Sequence, residues 1–237
     1  MLISSASSQT SLDAGRQAYF PDVEKNGLVT APVLVPIRSL GPRHAGRIAA
    51  HLRALEPQDR YLRFGYAASD EQIQRYVDGI DFERDEAFGI YNRKLELIAM
   101  AHLAFSTDPT LRSCAEFGVS VLAHARGRGY GSRLFERAVM HSRNEGVQMM
   151  FIHVLSENTA MLNIARKAGA VVERDGSESE AYLKLQPADL DSRITEMVDE
   201  QLAQADYRLK LQARQFRDFV ALLQEIRQGV RASGRQT

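Results

Sequence analysis

Residues 125–134, with the sequence ARGRGYGSRL, combine three glycines with three arginines directly after the apolar stretch 117–122. Glycine lets the backbone approach a ligand closely, and a helix that begins here would present free N–H groups and the positive end of its dipole. The arginines add formal positive charge. The segment therefore predicts a loop between a strand and a helix that binds an anion, with the geometry of a pyrophosphate cradle made largely of main chain.

Three classes of phosphate-binding loop can be compared with this segment. A Walker loop requires a Gly-Lys-Ser/Thr ending that is absent here, and the dinucleotide fingerprint G-x-G-x-x-G fails because Ser132 occupies its third glycine position. The G-x-G-x-G of S-adenosylmethionine methyltransferases matches Gly127, Gly129 and Gly131, and Glu157 could bind a ribose. Ala125 occupies the position where those enzymes usually have an acidic residue, so a methyltransferase remains the second hypothesis for this loop.

Two segments resemble the GNAT superfamily of N-acetyltransferases. VSVLAHARGRGYGSRLFERAV is similar to the acetyl-CoA-binding segment of that family, whose Arg/Gln-x-x-Gly-x-Gly/Ala signature is filled by Arg126, Gly129 and Gly131. Downstream, SENTAMLNIARKAGA resembles the family's Asn-containing helix, with Asn158, Lys167 and Gly169 in register. The resemblance covers about residues 33–186 and is closest in character to the GNAT domains of bacterial protein lysine acetyltransferases.

The resemblance implies acetyl-CoA as a co-substrate, no metal, and an amine acceptor, either a small molecule or a protein lysine. It implies main-chain contacts to pantetheine at Val119 and Val121 and a hydrogen bond from Asn158 to the same arm. Pyrophosphate contacts are expected along the whole loop, from Arg126, Gly127, Arg128, Gly129, Tyr130, Gly131 and Ser132.

Glu116 is the candidate general base, since an ammonium has no lone pair and must lose a proton before it can attack a thioester. Its AEF context resembles the position of the base in bacterial protein lysine acetyltransferases of the family. The position of the family's usual acid, a tyrosine, is held by Ala165, and no replacement is evident. A non-catalytic acyl-CoA sensor that signals through its C-terminal helix is therefore the alternative function.

The secondary structure around these residues is predicted to form a mixed α/β sheet. The spacing of apolar residues indicates strands near 33–38, 88–91, 95–105, 116–122, 149–154, 170–173 and 181–185, and helices near 42–55, 69–80, 129–146 and 158–167. The resemblance further implies that this sheet is mostly antiparallel and has a central, splayed parallel pair of strands, which is the GNAT fold. His102 and His153 lie in apolar strands and are expected to be core groups.

The chain is predicted to comprise an irregular segment (1–30), a GNAT-like domain (31–187) and a long C-terminal helix with a tail (188–237). An apolar stripe with a near 3.6-residue repeat runs through that helix from Leu190 to Ile226. Folding back onto the domain could cover its first turns. A second copy of the chain is expected to cover the rest, which predicts a homodimer.

The amino-acid composition argues against several kinds of binding partner and structural feature. The 30 basic and 30 acidic residues balance, so no global charge attracts the protein to nucleic acid or to an anionic membrane. The single cysteine excludes an internal disulfide, and the absence of a long apolar run or a signal-peptide pattern predicts a cytoplasmic protein.

Overall fold

The computed structural model describes residues 35–107 and 113–233, and it describes their side chains except for Asp175 and residues 216–233. The chain divides into two units, Met1–Val33 and Leu34–Thr237. The irregular segment predicted for residues 1–30 lies outside the described residues.

Seven strands of the described chain form one sheet. They are β1 (Arg38–Ser39), β2 (Glu86–Tyr91), β3 (Leu97–Phe105), β4 (Cys114–Val121), β5 (Met149–Leu155), β6 (Val171–Asp175) and β7 (Glu178–Lys184). Their order is β1-β2-β3-β4-β5-β7-β6, and every neighbouring pair is antiparallel except β4 and β5. The mixed sheet with one central parallel pair is therefore confirmed.

Six α-helices connect or follow these strands in the described chain. They are α1 (Ala45–Arg53), α2 (Pro57–Phe64), α3 (Asp70–Asp78), α4 (Tyr130–Asn144), α5 (Thr159–Lys167) and α6 (Leu190–Ser233). Ser69 caps α3, because its side chain accepts a hydrogen bond from the backbone N–H of Gln72 and the side chain of Gln72 in turn accepts one from the backbone N–H of Ser69. Ser69 therefore fixes the start of the helix predicted near residues 69–80.

Helices cover β4 on both faces. On one face Phe117 packs edge-on against Phe135 of α4, with the ring centroids 5.1 Å apart. On the other face Ser120 bonds to the buried His51 of α1, Nε2 to Oγ 2.8 Å, and the Nδ1 atom of His51 donates to the carbonyl of Leu97. Burial lowers the pKa of His51 to about 4, so it is a neutral core group.

Helix α2 is absent from the elements that the sequence predicted. Its eight residues, PQDRYLRF, include no fully buried side chain, so no apolar stripe marks it. Its boundaries do carry signals: Pro57 occupies the first turn, and Gly65 ends the helix with a φ of +77°. This omission matters because α2 forms a wall of the candidate site.

Helix α6 packs on its own domain through polar side chains. The carboxylate of Glu196 accepts from Nδ1 of His141 at 2.7 Å, and Glu200 lies 3.6 Å from Arg137 of α4. Further along, Tyr207 stacks beneath the guanidinium of Arg38 at 4.0 Å. The docked face is therefore polar, with small Ala203 buried among these groups.

The apolar residues of the same helix face away from the domain. Exposure is 79% for Leu190, 60% for Ile194, 69% for Met197 and 65% for Leu209. Folding back onto the domain, which could have covered the first turns of the apolar stripe, leaves these residues exposed. The polar partners on α4 and β1 select the opposite side of the helix.

Candidate active site

The glycine loop opens onto a cavity of about 350 Å³. All but one of the predicted loop residues line it: Arg126, Gly127, Gly129, Tyr130, Gly131 and Ser132. Arg128 is exposed and does not line this cavity. The structure thus brings together the loop residues whose backbone was expected to approach an anion.

The backbone of the loop has the form that glycine permits. Gly127 and Gly129 both have φ of +74°, a left-handed conformation that other residues rarely adopt. Gly129 is also the N-cap of α4, and it provides no side chain to satisfy the first-turn N–H groups. These donors and the positive end of a 15-residue helix suit a phosphate group.

Within the described residues, the edge of β4 that faces β5 is unpaired beyond Glu116, where a ligand would need it. The two parallel strands are in register only from Cys114 to Glu116, opposite Met149 to Phe151. Val119 and Val121 lie beyond that point, and both pair with β3 on their other side. Their free edge can therefore hydrogen-bond an extended ligand, as a further strand would.

Asn158 lies between the two diverging strands and lines the cavity beside the loop. Its side-chain oxygen accepts from the N–H of Met161 at 3.1 Å and so caps α5. The capping contact uses the oxygen and leaves the amide N–H₂ as a donor for a ligand. Ala165, at the position of the family's usual acid, is fully buried on the same helix.

A second cavity, of about 830 Å³, adjoins the first and contains the candidate base. Glu116 is exposed in this cavity and is the last residue of β4 that pairs with β5. His153 also lines this cavity, with a side chain that is 61% exposed, so the expectation that it is a core group is wrong.

Helix α2 lines both cavities. Leu62 and Arg63 line both of them, and Asp59 lines the smaller one. Arg63 donates from Nη2 to the Tyr76 hydroxyl at 2.7 Å. Asp59 was missed as a site residue because α2 was missed; Pro57 and Gly65 were the signals that could have found this helix.

His102 is a core group, as predicted. Its Nδ1 atom lies 2.7 Å from the Tyr76 hydroxyl and its Nε2 atom 3.3 Å from Oδ2 of the buried Asp85. Burial, followed by the charge of Arg63, lowers the pKa of His102. The imidazole is therefore neutral and connects Tyr76 to Asp85.

Two kinds of feature are absent from the described part of the chain. No group of three or more His, Cys, Asp or Glu side chains is arranged to hold a metal ion. None of the described helices is both long enough and apolar enough to cross a membrane.

The same fold occurs in solved acetyltransferase structures. The GNAT domain of S. lividans PAT superposes with a TM-score of 0.55 at 20% identity, over 65% of this chain and 95% of that one. An acetyltransferase of the GNAT family from Streptococcus pneumoniae superposes with a TM-score of 0.53 at 14% identity, over 63% and 98%. At these identities the likeness shows the fold alone.

The sequence itself carries the family assignment. The profile of the acetyltransferase (GNAT) family matches residues 50–170, which is more than half of the chain and spans α2, Glu116, the glycine loop and Asn158. The chain belongs to the GNAT family of acetyltransferases.

Proposed function

We propose that the protein transfers an acyl group from acetyl-CoA, or a closely related acyl-CoA, to a primary amine. The observation that carries this proposal is the continuity of the two cavities. One begins at a loop suited to a diphosphate and the other contains an exposed carboxylate, and they meet where β4 and β5 diverge. A long ligand can thus be held at one end by its phosphates and present its reactive end at the other.

The cofactor end of the site would bind CoA mainly through main chain. The first-turn N–H groups of α4 and the guanidinium of Arg126 would hold the diphosphate. The unpaired edges of Val119 and Val121 would hydrogen-bond the amide groups of the pantetheine arm, and the amide of Asn158 would support it. Arg128, which is exposed outside the cavity, is left with a contribution through its charge at most.

Glu116 would act as the base in the second cavity. It accepts a proton from the incoming ammonium, directly or through water, and the neutral nitrogen then attacks the thioester carbonyl. A C–N bond forms and the nitrogen, now cationic, loses a second proton to solvent. The C–S bond breaks, and the CoA thiolate leaves and takes up a proton from solvent. Backbone N–H groups of the unpaired strand edge would stabilise the oxygen that becomes negative during attack.

The absence of the usual acid does not prevent this chemistry. Ala165 supplies no proton and is packed in the core. A thiolate is a tolerable leaving group, so water can protonate it after the C–S bond has broken. The site therefore supports direct transfer without a covalent enzyme intermediate.

We further propose that α6 joins two copies of the chain. Val198, Leu202, Ala205 and Leu209 are all exposed and follow one another at intervals of four, three and four residues. This is the spacing of a coiled-coil seam, and the sequence continues it at intervals of seven with Phe216 and Leu223. A second copy of the same helix offers the matching seam through a two-fold axis.

A panel of primary amines with acetyl-CoA, monitored by release of free thiol, tests acyl transfer. Glu116→Gln should keep CoA binding and lower turnover by roughly 10² or more, with a smaller deficit at high pH where the amine loses its proton unaided. Glu136→Gln, on α4 outside both cavities, is the matched control. CoA binding without thiol release for any amine would instead favour the acyl-CoA sensor.

A further inference from the structure

Arg63 carries a positive charge that is not neutralised by any carboxylate of the described residues. It is half-buried at the end of α2 and lines both cavities. Within the described chain its polar contact is the hydroxyl of Tyr76, and its guanidinium also lies over the rings of Phe64 and Tyr76, 5.3 Å from each centroid. A partly desolvated cation without a counter-ion is costly, so this position favours a ligand with negative charge.

A chain of hydrogen bonds holds the guanidinium from one side. Because Arg63 can only donate, the Tyr76 oxygen accepts from it, and the single proton of Tyr76 is directed to Nδ1 of His102. The Nε2 proton of His102 then donates to Asp85. The nearest buried carboxylate on this path is thus two side chains away, and the other N–H groups of Arg63 remain available toward the cavities.

The guanidinium of Arg63 packs directly against Gly118 of β4, which has no side chain. A Cβ atom at Gly118 would lie 2.6 Å from both Cζ and Nη2 of Arg63, so a side chain at this position would displace the guanidinium. Gly118 stands between Glu116, the base, and Val119, the first pantetheine contact. In the proposed reaction the acyl group and the attacking amine meet at this point of β4, within reach of Arg63.

We propose that Arg63 binds a carboxylate carried by one of the two substrates. A guanidinium can hold both oxygens of a carboxylate with two parallel N–H bonds, which a neutral acyl group or a simple amine cannot exploit. The carboxylate can belong to the acyl chain, as in succinyl-CoA, or to the acceptor, as in an amino acid. The inference rests on the proposed acyl transfer and names the chemistry of its substrate.

Two experimental arms distinguish the sources of the carboxylate. Calorimetry compares the binding of acetyl-CoA and succinyl-CoA to the full chain. Thiol release compares kcat/KM for cadaverine and lysine, which differ by one carboxylate. Each arm is run on wild type, Arg63→Gln, Arg63→Lys and Tyr76→Phe, with Arg75→Gln as the control because Arg75 is exposed on α3 and lines neither cavity.

We expect wild type to prefer the carboxylate-bearing member of one pair by about tenfold or more, the range of a charge-assisted hydrogen bond. Arg63→Gln should abolish the preference and Arg75→Gln should keep it. Arg63→Lys, which retains the charge without the planar fork, and Tyr76→Phe, which removes the support, should each keep part of it. These two variants test the inference even if Arg63→Gln fails to fold.

Absence of a preference in both pairs, or a preference that persists in Arg63→Gln, would overturn the inference while CoA binding stays intact. Failure of wild type to bind CoA at all would overturn the proposed function and this inference together. The two failures are therefore distinguishable.

Discussion

Asp59 of α2 forms an ion pair with Arg126, the first residue of the glycine loop. The carboxylate is 15% exposed and the guanidinium 48% exposed, and both residues line the smaller cavity. The pair connects α2, which lines both cavities, directly to the loop that would bind the diphosphate. A phosphate that enters the loop must therefore compete with Asp59 for Arg126.

Asp59→Asn should strengthen CoA binding. The change removes a negative charge beside the diphosphate and frees Arg126, so we expect the Kd of CoA to fall by about two- to fivefold, the range of a partly exposed ion pair. Calorimetric titration measures it. Asp70→Asn is the control, since Asp70 pairs with Arg60 at 2.8 Å and lines neither cavity. Weaker binding by Asp59→Asn would instead mean that Asp59 positions Arg126 for the ligand.

Gly129→Asp should abolish the rise in melting temperature that CoA causes through mass action. The carboxylate would place a negative charge at the N-terminus of α4, where the diphosphate is expected. Gly146→Asp is a matched control, because Gly146 has a similar φ of +78°, lies beyond the other end of α4 and has open space around its Cα. An equal CoA shift in both variants would contradict the assignment of the loop.

Leu209→Glu should convert the protein from a dimer to a monomer. Leu209 is 65% exposed in the seam of α6, and a buried pair of glutamates would be strongly unfavourable in a coiled coil. Leu211→Glu makes the same change on the same helix, two residues away and off the seam, and should remain dimeric. Light scattering at micromolar concentration decides, and a monomeric wild type would refute the homodimer.

His51 should make the protein less stable as the pH falls below 6.5. The folded state holds its pKa at about 4, so the unfolded state binds more protons between pH 6.5 and 4. The free energy of unfolding should decrease by roughly 2 kcal/mol from this group between pH 7 and 5.

Thermal unfolding of His51→Gln, compared with wild type at pH 7 and pH 5, measures this contribution. Glutamine can still donate to Leu97 and accept from Ser120, but it does not titrate, so the variant should lose less stability on acidification. His124→Gln replaces an exposed histidine and should retain the wild-type dependence. An identical pH dependence in His51→Gln would exclude His51 as the source.

Local signals in the sequence determined the cofactor side of the site. Gly127 and Gly129 mark the loop because few other residues adopt its left-handed backbone, and the apolar run before it marks a central strand. Asn158 is recognisable as the N-cap of the next helix. These features depend on neighbours within a few residues, so they can be predicted without a structure.

The other side of the site depended on the tertiary structure. Arg63, Tyr76 and His102 come from three different elements and Asp85 from the segment before β2. Only the packing of α2 and α3 on the sheet brings them into one hydrogen-bonded chain. The exposure of His153 is likewise a tertiary feature, because its position inside an apolar strand predicted a buried side chain.

The orientation of α6 is the clearest case of a feature that the tertiary structure decided. Its apolar period predicted a long helix, but the side that packs on the domain was selected by the ion pairs and hydrogen bonds that Glu196 and Glu200 make with α4 and β1. An apolar stripe indicates which side chains are favoured away from water, but it does not indicate which surface covers them. Charge complementarity between distant segments settled that question, because it exists only after the chain has folded.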